Sequence, residues 1–242
     1  MKLFGSRLSP FVDKVASALE LKSVAYQHVD LKSPGDLKKW NRQTGKMPVL
    51  ELDVEQGGQG EHGVENGVER LWDSTFILRR LDALFPEPPL VGADPAVAAA
   101  QRQLEDWSDE SLYWYVMSYR WSKTNAAQSL REILAGAPAV VRALASGTVR
   151  RMVVKATRAQ GLGRLPEDAL LRELEGRLDD LETLLGEDDW LVGAERPSVA
   201  DLAVVGQLRF LAISENGRRI VAARPRLARL ERRLAEACGR KA

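Results

Sequence analysis

One cysteine, Cys238, is present among 242 residues. An internal disulfide framework and Cys-x-x-Cys chemistry are therefore excluded. Histidine is almost as scarce. His28 and His62 stand alone, so no His/Cys metal cluster, and no metal, is expected. Apolar runs all fall well short of the roughly 18 residues that a membrane-spanning helix needs, and no span is expected. The opening MKLFGSRLSPFVDKV has no uninterrupted apolar stretch of the secretory kind, which makes a cytoplasmic location the expectation. Neither sign of charge is in excess: Lys plus Arg number 35 against 34 for Asp plus Glu. Such balance gives no bulk attraction to nucleic acid or to an anionic membrane, and no nucleic-acid partner is expected. With 45% hydrophobic residues the chain has the material for a sizeable core, which argues against disorder.

Among what is present, the stretch Thr44-Gly45-Lys46-Met47-Pro48-Val49-Leu50-Glu51-Leu52 has the clearest local logic. A polar turn runs into a proline, and the proline opens a run that alternates apolar and acidic residues. Proline has no N–H and a fixed φ, so it suits the first residue of a strand and not its middle. Val49 to Leu52 is thus read as a strand begun by Pro48. A bent backbone there can present its own N–H and C=O to an extended ligand. The dipeptide alone leaves the isomer of the Met47–Pro48 bond open.

In chain order, Lys2-Leu3-Phe4 reads as a short strand. Ser9-Pro10 then signals a helix start, with Ser9 as N-cap, Pro10 at the first helical position and Asp13 in the first turn. Phe11, Val15, Ala18 and Leu19 follow at helical spacing. Val24 to Val29 alternates as a second strand. Ser33-Pro34-Gly35-Asp36 is turn material, and a short helix with Trp40 is expected over Leu37–Gln43. After Leu52, the stretch Asp53 to Gly67 holds five glycines and an Asn-Gly pair and is read as a long hairpin loop. Val68 to Trp72 would return as the fourth strand, and Asp73-Ser74 would cap a helix with Phe76, Ile77, Leu78, Leu81 and Leu84 on its apolar face. The order is β-α-β-α, then β-β-α.

A proline-rich linker is expected over residues 86–94, dividing a first domain at residues 1–85 from a second at 95–242. Every long segment of the second has helical periodicity. One long helix or two in succession run from Pro95 to about Ser122, dense in aromatics from Trp107 to Trp121. Further helices are expected over Pro138–Gly161, Pro166–Leu185, from Ser198-Val199-Ala200-Asp201 onward, and over Pro225–Cys238. Arg151, Lys155 and Arg158 form a basic stripe, best read as a solvated face. Cys238 is read as incidental and not catalytic.

Three features could carry chemistry. Ser9 sits at a helix N-terminus, where unpaired N–H groups and the dipole favour an anion such as a thiolate. Met47–Pro48 offers main-chain pairing. Asp73-Ser74 offers a carboxylate for an ammonium, and a hydroxyl with nearby N–H groups for a carboxylate. Taken singly, Ser9 and Asp73-Ser74 are better read as plain helix caps, and Met47–Pro48 could be a proline that merely ends a loop.

Together, Ser-Pro-Phe at the first helix, Met-Pro-Val-Leu at the third strand and Asp-Ser at the last helix of this half resemble the thioredoxin-like domain of the glutathione S-transferase superfamily. Ser198-Val199-Ala200-Asp201, led in by Trp190-Leu191-Val192-Gly193, is similar to the capped helix of that superfamily's all-helical second domain. Within the superfamily, the Arg158 to Arg164 segment resembles the metaxin-like and failed-axon-connections-like branch. The resemblance implies a cis Met47–Pro48 bond. It implies that glutathione is the co-substrate, with Met47 and Pro48 pairing its cysteinyl part and Asp73 and Ser74 holding its γ-glutamyl end. Lys46 would lie near the glycyl carboxylate and Ser9 near the sulfur, as the catalytic hydroxyl. It further implies a homodimer formed by the first domain's last helix and the second domain's first. The partner is then a hydrophobic small-molecule electrophile, conjugated in a detoxification-type transfer. The alternative is a non-catalytic interaction protein that keeps the scaffold. The Asp53–Gly67 loop departs from the superfamily's tight turn and is expected near the Asp73-Ser74 end of the site.

Overall fold

The computed structural model describes residues 1–31, 34–53, 64–65, 67–135 and 139–240. The first part alternates strands β1 (Lys2–Phe4), β2 (Gln27–Val29), β3 (Val49–Asp53), β4 (Val64–Glu65) and β5 (Val68–Trp72) with helices α1 (Pro10–Leu21), α2 (Pro34–Trp40) and α3 (Ser74–Leu84). They form one mixed sheet in the order β2-β1-β3-β5-β4. β1 runs parallel to β2 and antiparallel to β3, and β5 is antiparallel to both β3 and β4.

The order expected from sequence is present, with three differences. α2 begins at Pro34, inside the segment read as turn material, and ends at Trp40, short of the expected Gln43; proline is well placed in a first helical turn, where its missing N–H costs nothing. β2 covers Gln27–Val29 and not the whole of Val24–Val29, because its partner β1 offers only three residues to pair with. The stretch read as an unbroken loop contains β4, whose Glu65 pairs with Val68 across a turn in which Gly67 adopts φ 75°. That left-handed conformation suits glycine. The other loop positions, residues 54–63 and 66, lie outside the described residues, as do residues 32–33, which include Ser33 of the expected turn.

Residues 86–94 hold no regular element, yet the segment is tied down. The buried ammonium of Lys22 donates to the carbonyls of Phe85 and Pro88 and to Asp82 Oδ1 at 2.6–2.8 Å. Leu90 is 1% exposed, and its carbonyl accepts from the Val199 N–H at 2.8 Å.

Helices α4 (Pro95–Trp107) and α5 (Tyr113–Arg120) are joined by a π-helical turn at Ser108–Leu112, so the long aromatic segment is two helices run together. α7 (Ala139–Gln160), α8 (Glu167–Leu185), α9 (Val199–Ala212) and α11 (Pro225–Ala237) fall where periodicity places them; the expected first residue of α7, Pro138, lies outside the described residues. Two short helices, α6 (Ala126–Ile133) and α10 (Glu215–Ala222), had no expected counterpart. Ser198 and Asp201 form the anticipated capping box at α9, Ser198 N–H donating to Asp201 Oδ2 at 2.8 Å. α9 is buried almost throughout and packs against α1 and α4, so residues of both halves share one continuous core.

Candidate functional site

Strand direction decides where the three sequence features lie. β1 ends at Phe4, opposite Val49 at the start of β3, and Val49 is in turn opposite Trp72 at the end of β5. One step beyond this row stand Gly5, Pro48 and Asp73. The Ser9 turn, the Met47–Pro48 peptide and the Asp73-Ser74 cap therefore share one end of the sheet. Two helix N-termini, those of α1 and α3, open at that same end and bring their positive dipole ends together.

The segment between β3 and β5 has its anchors elsewhere. It is anchored at Asp53 and Val68, which pair with each other at the opposite end of these strands. The expectation that it flanks Asp73-Ser74 does not hold for these anchors, which strands β3 and β5 separate from the site; residues 54–63 and 66 lie outside the described residues.

Ser9 is half-buried, extended at φ −83° and ψ 127°, and caps α1 by position while its side chain makes no capping hydrogen bond. Its hydroxyl is thus not spent on the helix, and the N–H groups of Phe11 and Val12 belong to the unpaired first turn. Met47–Pro48 is cis, and Pro48 is buried. The Met47 sulfur accepts from the Ser6 N–H at 3.2 Å, which couples the start of β3 to the loop entering α1. Gly5, at φ 148°, lies in the tightest part of this junction. A Cβ there would come within 2.5 Å of Val12 Cγ2 and 3.3 Å of Met47 Cβ. Lys46 is exposed beside the bend, its carbonyl accepting from Asn41 Nδ2 at 3.3 Å.

At the third corner the structure refines the expectation. Asp73 is exposed and holds φ 78°, a left-handed conformation that non-glycine residues rarely adopt. Its Oδ1 already accepts from the Thr75 and Phe76 N–H groups at 2.9 and 3.3 Å. Those two donors are spent on the cap, which leaves the Ser74 N–H in that turn. The Ser74 hydroxyl is 5% exposed and accepts from Lys14 Nζ at 3.3 Å.

Lys14 went unread in the sequence. It is 1% exposed, and its ammonium lies 2.5 Å from Glu105 Oε1 and 2.6 Å from Asp109 Oδ2, while also donating to Thr75 Oγ1 at 3.3 Å. Thr75 in turn donates to Glu105 at 3.0 Å. One buried cation thus ties α1, α3 and the α4–α5 junction together beneath Ser74. Burial pushes the Asp109 carboxyl up to about 6, with Lys14 opposing the rise. The available signal was a lysine at i−4 and i−3 from Ala18 and Ser17, on the helix face that turns inward.

The helical half supplies an apolar wall. The Phe11 ring lies 5.0 Å from that of Tyr113, which contacts Trp114 at 5.2 Å and stacks on Phe210 at 6.3 Å. Phe11, Tyr113 and Trp114 are each partly exposed. On the opposite side, a Cβ at Gly206 of α9 would stand 2.8 Å from the Pro10 carbonyl oxygen, so α9 backs directly onto the first turn of α1. The basic stripe at Arg151, Lys155 and Arg158 is exposed on α7, as expected of a solvated face. Among the described residues no group of three metal-ligating side chains occurs, and no helix is long and apolar enough to cross a membrane.

Comparison with known proteins agrees with this architecture. The family model for the glutathione S-transferase N-terminal domain matches residues 3–89, and that for the C-terminal domain matches residues 156–233. The chain belongs to the glutathione S-transferase superfamily. Among solved structures it is similar to a glutathione S-transferase of Methylobacterium radiotolerans in complex with glutathione sulfonate, at 24% identity and a TM-score of 0.62, covering 97% of this chain and 89% of that one. The beta-etherase LigF of Sphingobium shares 20% identity at a TM-score of 0.67, with 98% and 96% of the two chains covered. A family member from Pseudomonas fluorescens with two glutathione molecules bound shares 18% identity at 0.65, over 98% and 89%. At these identities the likeness is one of fold. No curated protein matches the chain.

Proposed function

We propose that this superfamily member binds glutathione across the sheet end described above and conjugates its thiol to a hydrophobic electrophile. The observation that carries the reading is the convergence of Ser9, cis Met47–Pro48 and Asp73-Ser74 on one row of strand ends, beneath two helix N-termini. An extended tripeptide would pair its cysteinyl main chain with Met47. Its γ-glutamyl carboxylate would meet Ser74, supported by Lys14 from below, and its ammonium would meet Asp73. The glycyl carboxylate would lie towards Lys46.

In this arrangement the sulfur falls near Ser9 and the start of α1. A hydrogen bond from the Ser9 hydroxyl, with the helix dipole, stabilises the thiolate and raises its population near neutral pH. The thiolate forms a C–S bond to the electrophilic carbon, the leaving group departs with its electron pair, and the thiol proton passes to solvent. Phe11, Tyr113 and Trp114 form the wall against which the electrophile rests. The bound relatives from Methylobacterium and Pseudomonas support a glutathione site in this fold.

The same reading divides the chain into a glutathione-binding domain at residues 1–85 and a substrate domain at residues 95–242, and makes it a cytoplasmic homodimer. The 43% and 40% exposure of Phe76 and Leu84 on α3 supports dimerisation through this helix, beside a cavity of about 450 Å³ whose lining mixes Leu78, Leu90 and Val199 with Arg79, Asp82 and Arg102. Thermal shift with millimolar glutathione, together with conjugation of 1-chloro-2,4-dinitrobenzene by wild type and Ser9→Ala, tests the proposal. A stabilising shift and activity that falls in a folded Ser9→Ala are expected. No shift and no conjugate would leave the scaffold as an interaction protein. Light scattering that returns a monomer would remove the dimer.

A further inference from the structure

Arg120, at the end of α5, is 0% exposed, and none of its Nε, Nη1 or Nη2 atoms has a hydrogen-bond partner among the described residues. Burying a charge without a partner is among the most unfavourable things a fold can do, and such groups are normally paired. Burial pushes the guanidinium pKa down to about 10, which still leaves it charged at neutral pH. The carboxylate whose charge it feels most is that of Glu132 on α6, and the two form no ion pair.

Its surroundings are aromatic. The guanidinium carbon lies 4.0 Å from the centroid of the Phe210 ring, a cation–π contact that replaces only part of the lost hydration. Phe210 stacks on Tyr113 with the ring planes 14° apart, and Tyr113 packs on Phe11, two residues after Ser9. A continuous aromatic layer thus runs from the catalytic candidate to an unpaired cation. Gln207, one turn before Phe210 on α9, likewise has its Oε1 buried and unpartnered among the described residues.

We propose that Arg120 is the specificity-determining residue of the electrophile site and that the co-substrate is an aromatic carboxylate, its ring against the Phe11–Tyr113–Phe210 layer and its carboxylate paired with the guanidinium. The inference rests on the thiol-transfer reading above and names its substrate class. The planar guanidinium can take a carboxylate in two parallel hydrogen bonds, which an ammonium or an amide cannot reproduce. Arg120 is fully covered, so pairing requires one ring of the layer to swing aside.

The test is titration calorimetry with 4-nitrobenzoate and its neutral analogue 4-nitrobenzamide, with and without glutathione. Wild type is expected to prefer the carboxylate by roughly 10- to 100-fold, the worth of a charged hydrogen-bonded pair. Arg120→Met should erase the preference and Arg120→Lys should keep part of it. Equal binding of the two arenes by wild type overturns the proposal even if neither variant folds, and so does a preference that survives in Arg120→Met. Glutathione titrated alone reports separately on the thiol site. Its failure sinks the transferase reading, while the carboxylate preference is still decided by the arene pair.

Discussion

Replacing Lys14 by methionine tests the buried charge network directly. The ammonium is 1% exposed, and the carboxylates it holds at 2.5 and 2.6 Å, Glu105 and Asp109, have side chains only 5% and 11% exposed. Methionine fills much of the lysine's volume, so the dominant loss is electrostatic: two carboxylates stay buried without their cation. Breaking a buried pair by removing one partner costs about 3–5 kcal/mol, a large share of the roughly 5–15 kcal/mol that stabilises a typical domain. For a chain of this size each kcal/mol lowers Tm by about 2–4 °C, giving a fall on the order of 10 °C. The sign of the pH dependence follows from Asp109. Its folded pKa of about 6 lies above the ordinary 3.8, so its contribution to stability is fully present below about 3.8 and lost as pH rises through 6. Lys14 restrains that rise. Without it the folded pKa climbs further, and the Tm deficit of Lys14→Met should be smaller at pH 5 than at pH 8. Asp109→Asn added to Lys14→Met should recover part of the deficit at pH 8. Calorimetric scans at the two pH values measure all of this. A deficit under about 2 °C at pH 8, or one that grows on acidification, would refute the argument.

Three further outcomes are expected. Gly5→Ala places a methyl 2.5 Å from Val12 Cγ2 at a φ of 148°, so it should destabilise by roughly 1–3 kcal/mol in urea titration and weaken glutathione binding, since the Met47 junction must shift. Asp201→Asn keeps the size of the side chain but sets an NH₂ against one of the two N–H donors, Leu191 on Oδ1 or Ser198 on Oδ2, that Asp201 accepts from at 2.8 Å. A loss of about 2 kcal/mol is expected by the same titration. Burial pushes the Cys238 thiol up to about 11, so the thiolate is scarce at pH 8. Alkylation by iodoacetamide should be much slower than for free cysteine, and Cys238→Ser should leave conjugation unchanged.

The features legible in the sequence were those settled by a few neighbouring residues. Ser9-Pro10 starts a helix through the fixed φ of proline, Asp73-Ser74 and Ser198 with Asp201 through local hydrogen bonding, and all three helix starts occur at the expected positions. Pro48 at the start of β3 is of the same kind. Features that depend on a partner far along the chain were not legible. β2 is cut to three residues by the length of β1. Closeness in sequence predicts the Asp53–Gly67 loop beside Asp73-Ser74, yet its anchors lie at the far end of the strands. The antiparallel pairing of β3 with β5 sends Asp53 and Trp72 to opposite ends. α6 and α10 are eight residues each, shorter than the roughly 11–18-residue window over which helical periodicity is read. The Lys14 network joins residues more than 90 positions apart, and only the inward position of a lysine hinted at it.

The network also bears on why the helical half matters to a site built from the sheet. Ser74 and Ser9 belong to different helices, and neither cap alone fixes their separation. Lys14 links α1 to α3 through the Ser74 and Thr75 hydroxyls and fastens both to Glu105 and Asp109 of the α4–α5 junction. On the other flank the Pro10 carbonyl lies against Gly206 of α9, with no room for a side chain. The first turn of α1 is therefore held between two elements of the helical half while its N-cap faces the start of β3. A thiolate stabilised at Ser9 needs that turn to keep its angle to the Met47 main chain. The fold supplies the constraint from the helical half, whose apolar wall of Tyr113 and Trp114 begins one helix turn past the Asp109 carboxylate. Under the proposed function, electrophile binding against that wall and thiolate positioning at Ser9 would depend on the same packed junction. A substitution there, such as Gly206→Ala, is expected to impair both together.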